Sequence, residues 1–135
     1  MTPDSLLRIG LIGMDTSHVP AFTKLFHDPA ATGDLAGFRV AAGLPDGSDT
    51  PMSRDRIEGF TNEARELGVE IVDSVEALIE RSDRLMILSV DGRIHRRQAE
   101  ALFAAGKPVF VDKPVAGNLS DCIAIYEKIG RASCR

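Results

Sequence analysis

The chain has 135 residues, of which 44% are hydrophobic and 27% charged, with a formal net charge of −4. These figures fit one globular domain with a buried core. Acids and bases are interspersed, which argues against nucleic acid as a partner, because neutralising phosphates takes a clustered basic face. No apolar run nears the ~20 residues needed to span a bilayer, so no membrane partner is expected.

Residues 6–12 (LLRIGLI) form a short apolar run closed by Gly13 and read as a buried strand. Thr16 or Ser17 can cap the helix that follows, with Pro20 in its first turn, and Asp28-Pro29 ends it. Residues 38–42 (FRVAA) are the second strand, and residues 43–53 (GLPDGSDTPMS) a loop. Ser53 is the expected cap of a helix with Ile57, Phe60, Ala64 and Leu67 on one face, closed by Gly68. Residues 69–72 are a third strand, and Ser74 caps a brief helix.

Residues 85–90 (LMILSV) make a nearly continuous apolar strand suited to a sheet covered on both faces. The next helix carries Ile94, Ala101, Leu102 and Ala105 and stops at Gly106. Its basic cluster, Arg93 with Arg96 and Arg97, is expected on the wet face. Residues 108–111 (PVFV) are the fifth strand, and Asn118 or Ser120 starts a last helix through Cys122, Ile125 and Tyr126. Strand and helix thus alternate five times, which predicts an α/β fold, a doubly wound parallel sheet of Rossmann-like type.

The ends carry two further expectations. Residues 1–5 lack the basic and apolar stretches of a secretory leader, and Cys122 and Cys134 suggest no disulfide framework, so a reducing cytoplasm is the expected setting. Residues 129–135 (IGRASCR) translate the start of a common sequencing adapter. The expected domain is therefore residues 1–128, followed by a non-native tail at 129–135.

In doubly wound sheets, ligands bind outside the carboxyl ends of the strands, where the strand order reverses. The unusual polar residues fall at those ends. Gly13-Met14-Asp15-Thr16-Ser17-His18 follows the first strand, Asp46 the second, Asp91 and His95 the fourth, and Asp112-Lys113-Pro114 the fifth. The first loop is an altered dinucleotide fingerprint: Gly13 supplies the first glycine of G-x-G-x-x-G, while Asp15 and His18 replace the other two. Asp15, Thr16 and Ser17 are equally good helix caps. A carboxylate at Asp15 repels phosphate unless it turns away. Asp46 suits an adenosine ribose or a plain turn. The spacing of Asp15, His18, Asp91 and His95 matches no zinc motif, so no metal is expected. Lys113 follows a buried strand, so its ammonium is expected at the cleft floor, where it can hydrogen-bond an oxygen and take part in proton transfer.

The polar loop of the fourth strand, His95 opening the next helix, the helix end Ala104-Ala105-Gly106-Lys107 and the motif Asp112-Lys113-Pro114 together resemble the Gfo/Idh/MocA oxidoreductases. The phrase MDTSHVPAFTKLF resembles a branch of that family in which D-T-S-H stands in for the glycine-rich turn. The resemblance implies the N-terminal cofactor domain of a two-domain enzyme. Such an enzyme would use NAD or NADP on a sugar, inositol or related hydroxyl or ketone and would oligomerise through its second domain, absent here, so this fragment alone should be inactive. It implies that Lys113 and His95 serve catalysis, with Lys113 at the nicotinamide ribose and the reacting hydroxyl and Pro114 shaping its turn. Gly13, Met14 and the following amides would lie at the pyrophosphate. Asp112 replaces the family's glutamate. Two other readings stay open: a binding or regulatory module that has lost the dinucleotide, and a lyase or epimerase that holds NAD tightly.

Overall fold

The structure is a computed structural model that describes residues 6–132. The expected absence of a leader at residues 1–5, and Cys134 with the rest of 133–135, lie outside the described residues. Among the described residues, five strands alternate with five α-helices: β1 (Leu7–Ile12), α1 (His18–His27), β2 (Phe38–Leu44), α2 (Pro51–Glu66), β3 (Glu70–Ile71), α3 (Val75–Glu80), β4 (Arg84–Ile87), α4 (His95–Phe103), β5 (Val109–Val111) and α5 (Leu119–Ala132). All pairings are parallel, in the order β3-β2-β1-β4-β5. The chain winds outward through β2 and β3, then restarts beyond β1 with β4 and β5. The reversal therefore falls between β1 and β4, and the doubly wound reading holds.

Strand alternation explains the two cores. Ile9 and Leu11 of β1 face one side and pack with Val19 of α1 and Ala64 of α2. Ile12 faces the other and joins Leu78 of α3, Ala99 and Leu102 of α4 and Ile125 of α5. Both faces of the central strands are thus apolar, as residues buried between two helix layers must be. Gly10 lets α3 and the turn after it lie close against β1, because a Cβ there would fall 3.0 Å from Leu78 Cδ1 and 2.1 Å from Ser82 Oγ.

Several boundaries differ from the expectation. β2 runs on through Leu44, since Gly43 and Leu44 still pair with β1. The cap of α2 is Thr50, not Ser53: Thr50 Oγ1 accepts from the Ser53 amide at 3.3 Å, and Pro51 takes the position where a missing N–H costs nothing. Ser53 is instead buried inside the helix and accepts from the Ser48 amide. Ser17 precedes α1 without a side-chain capping bond. On α4 the inward residues are His95, Gln98, Ala99 and Leu102, and Ala101 is exposed. Gly68 and Ser74 act as expected, the first at φ +89°, the second accepting from the Ala77 amide at 3.2 Å. Among the described residues, no helix is long and apolar enough to cross a membrane.

Candidate active site at the strand switch point

Gly13 leaves β1 with φ +87°, and a Cβ there would sit 2.0 Å from Ser89 Oγ and 2.4 Å from Ser89 N. The first glycine therefore admits the backbone leaving β4, so the loops after β1 and β4 lie directly against each other. Met14 is fully buried and lies under Gly43, where a Cβ would stand 2.8 Å from its sulfur. Its side chain is core, and with no exposed surface on the residue its backbone is covered too.

Asp15 is also fully buried, and its Oδ1 accepts from the Val90 amide at 3.1 Å while Oδ2 has no partner. This carboxylate turns into the protein, so it does not occupy the space in front of α1. The amides of Met14, Asp15, Thr16 and Ser17 have no acceptor among the described residues, but Met14 and Asp15 are fully buried, so only the Thr16 and Ser17 amides belong to residues with exposed surface. The Thr16 and Ser17 amides lie just before a ten-residue helix, whose dipole favours an anion at that end. These residues fit a dinucleotide diphosphate.

The other acids are engaged by protein partners. Asp46 accepts from both terminal nitrogens of Arg97, at 2.9 and 3.0 Å, and from Gln98 Nε2 at 3.1 Å. Asp91 is gripped by Arg93 through the guanidinium and the amide. The Arg93 guanidinium, with help from Ser48, holds the Asp91 carboxyl down to about 2. Asp112 is buried and accepts from His18 Nδ1 through Oδ2 and from the Lys113 amide through Oδ1 at 2.8 Å.

His95 also needs correcting. It is fully buried, with Nδ1 at 3.2 Å from the Val115 carbonyl and Nε2 at 2.7 Å from the Ser89 carbonyl. It holds the loops after β4 and β5 together and touches no open space, so it positions the site and does not perform chemistry. Lys113 and Pro114 are exposed, joined by a cis peptide bond. The ammonium thus stands on the rim and not at a buried floor; the buried member of the motif is Asp112. Thr16 accepts from the His18 amide at 3.3 Å.

Sequence reasoning missed Ser89, Arg97 and Gln98. Ser89 Oγ and Gln98 bond each other, and Gln98 reaches on to Asp46, linking the loops after β2 and β4. The available signal was the polar pair His95 and Gln98, three apart on a face otherwise carrying Ala99 and Leu102. At the opposite edge of the sheet a groove of about 570 Å³ is lined by Arg8, Glu70, Arg81 and Asp83. Those charges pair off as Arg8–Asp83 and Arg81–Glu70, which leaves that edge a weaker candidate.

The profile of the Gfo/Idh/MocA oxidoreductase family, with its NAD-binding Rossmann fold, matches residues 49–135. Inositol 2-dehydrogenase of Cereibacter sphaeroides is 33% identical over 127 residues, covering 92% of this chain and 33% of that protein. The chain belongs to the Gfo/Idh/MocA family. Inositol 2-dehydrogenase 1 of Saccharopolyspora erythraea is 30% identical over 125 residues, 88% of this chain and 32% of that protein. Among solved structures, an oxidoreductase from Agrobacterium radiobacter in complex with NAD+, L-tartaric acid and magnesium superposes with a TM-score of 0.67. It is 22% identical and covers 94% of this chain and 33% of its own. The chain therefore spans about a third of the length of these proteins. It is an NAD-binding Rossmann domain of oxidoreductase type.

Proposed function

We propose that this domain seats the nicotinamide dinucleotide of a dehydrogenase or reductase acting on a polyol hydroxyl or the corresponding ketone. The observation that carries the reading is the inward turn of Asp15. It turns the carboxylate of the first loop away from the space before α1 and leaves the unpaired amides of Thr16 and Ser17 there. The amides of Thr16 and Ser17 hold the diphosphate. Asp46, already ordered by Arg97 and Gln98, lies where an adenosine ribose is bound in such folds. Lys113, on the same rim, donates a hydrogen bond to the substrate oxygen as charge develops there, and Pro114 sets the turn that presents it.

When bound, the nicotinamide supplies the hydride acceptor or donor. The protein's share is orientation and handling of the proton. A polyol substrate is supported by the two inositol 2-dehydrogenases that share about a third of this sequence. The choice between NAD and NADP is assigned to the Asp46–Arg97 pair.

Fluorescence titration of this chain with NADH and NADPH tests the reading. Saturable binding at sub-millimolar concentration is expected, weakened about tenfold by Lys113→Ala, roughly the loss of one charged hydrogen bond. No binding at millimolar nucleotide would overturn it.

A further inference from the structure

The chain has three histidines, and their ring nitrogens are not equally engaged. His27 has Nδ1 on the Leu67 carbonyl and Nε2 between the Val40 carbonyl and amide. His95 has each ring nitrogen on a backbone carbonyl. His18 uses only Nδ1, on Asp112, and its Nε2 has no partner among the described residues. One histidine therefore has a nitrogen to offer, and it stands on the rim next to the Thr16 and Ser17 amides.

We propose that His18 and Asp112 form a proton-handling dyad, in which His18 Nε2 accepts the proton of a ligand hydroxyl held beside Lys113. This rests on the dinucleotide reading above. Asp112 is 8% exposed, and both its oxygens are committed, one to His18 Nδ1 and one to the Lys113 amide at 2.8 Å. A carboxylate only accepts, so it selects the ring form with hydrogen on Nδ1 and leaves the lone pair on Nε2. Phe22 packs against the ring at 5.4 Å between centroids, tilted by 50°, and fixes its plane. The His18 side chain is 33% exposed, so Nε2 is reachable. One carboxylate thus orients the ring and anchors the backbone of Lys113, which ties the proposed acceptor to the segment that carries the ammonium.

The chemistry balances. Oxidation of a secondary hydroxyl breaks its C–H and O–H bonds and forms a carbonyl. The hydride goes to the nicotinamide, and the O–H proton goes to Nε2. The resulting imidazolium is balanced by Asp112 and passes its proton to water; reduction runs the same path backward. A residue that merely latched α1 to β5 would need Nδ1 but not a free Nε2.

The test reads the ring itself. In long-range 1H–15N spectra of the labelled chain, His18 is expected as the Nδ1–H form. Diethyl pyrocarbonate, followed by mass spectrometry, is expected to acylate His18 about tenfold faster than His27 or His95, whose nitrogens are freed only by local opening. Asp112→Asn, which can donate to Nδ1, is expected to convert the ring to the Nε2–H form and slow acylation. Saturating NADH is expected to shift the Nε2 resonance and to slow acylation about tenfold, as burial of the site would.

An Nε2–H ring in the wild-type chain, or His18 acylated no faster than the other two, overturns the dyad whatever NADH does. Bound NADH that leaves both readouts unchanged overturns it too, while leaving the cofactor reading intact. Absent NADH binding sinks the cofactor reading and, with it, the proposed transfer from a ligand hydroxyl, even where the Nδ1–H form and fast acylation are found.

Discussion

Arg97 on α4 holds Asp46, at the end of β2, through both terminal guanidinium nitrogens, at 2.9 and 3.0 Å. The pair joins the two halves of the sheet above the switch point. It also sets the charge where an adenosine ribose would lie: an acid there suits a free diol, and an arginine suits a 2′-phosphate. Removing either partner frees the other. Asp46→Ala is expected to improve NADPH affinity relative to NADH by about tenfold, the worth of one charged hydrogen bond, and Arg97→Ala to move the ratio the other way. Fluorescence titration of both variants with both nucleotides checks this. Equal ratios in the two variants would refute it.

Gly13 and Gly68 both sit at positive φ, +87° and +89°, but only Gly13 is crowded: a Cβ there meets Ser89 at 2.0 Å, whereas nothing lies within 4 Å at Gly68. Gly68→Ala should therefore cost only the backbone strain, about 1–2 kcal/mol. Gly13→Ala adds a clash with backbone and should cost about 3 kcal/mol or more. Urea unfolding of the two variants, compared with wild type, gives the difference directly.

Asp15 separates charge from hydrogen bonding. Asp15→Asn keeps an acceptor for the Val90 amide and removes a buried charge whose second oxygen is unpartnered. It is expected to leave stability unchanged or raise it. Asp15→Ala strands the Val90 amide and should cost about 1–3 kcal/mol. The order of the two urea midpoints decides the matter, and Asn less stable than Ala would contradict the argument.

Acid should weaken the domain through Asp83. Hydrogen bonds from the Arg8 side chain, then from its amide, hold this carboxyl down to about 2. The folded chain thus takes up this proton less readily than the unfolded chain, where the ordinary value is about 4. The stabilising contribution is complete above that ordinary value and is lost as pH falls through about 2. Asp83 is 32% exposed and Arg8 45%, so solvent screens the pair. Its worth is expected at under about 1 kcal/mol. Denaturation curves at about pH 5 and about pH 2 should differ less for Asp83→Asn than for wild type.

The architecture was legible because it rests on local signals. Ile9, Leu11 and Ile12 alternate about Gly10, Ser74 caps where a cap is needed, and Gly68 ends α2. What each polar residue does was far less legible, because those outcomes depend on partners distant in the chain. Asp112 meets His18 across 94 residues and Asp15 meets Val90 across 75. Residue type and position on the rim fit a ligand for each of them equally well. His95 misled for the same reason: its place after β4 is right, but the carbonyls of Ser89 and Val115 take both its nitrogens. Thr50 was passed over for Ser53 because both are good caps, and only the helix start distinguishes them.

The ties His18–Asp112, Arg97–Asp46 and Asp15–Val90 each join segments that follow different strands. Such cross-bracing means the rim takes its working shape when the chain folds. The entropy of arranging these loops is lost then, not at association, so an incoming molecule meets a finished mould and its contacts are not spent on shaping the receptor.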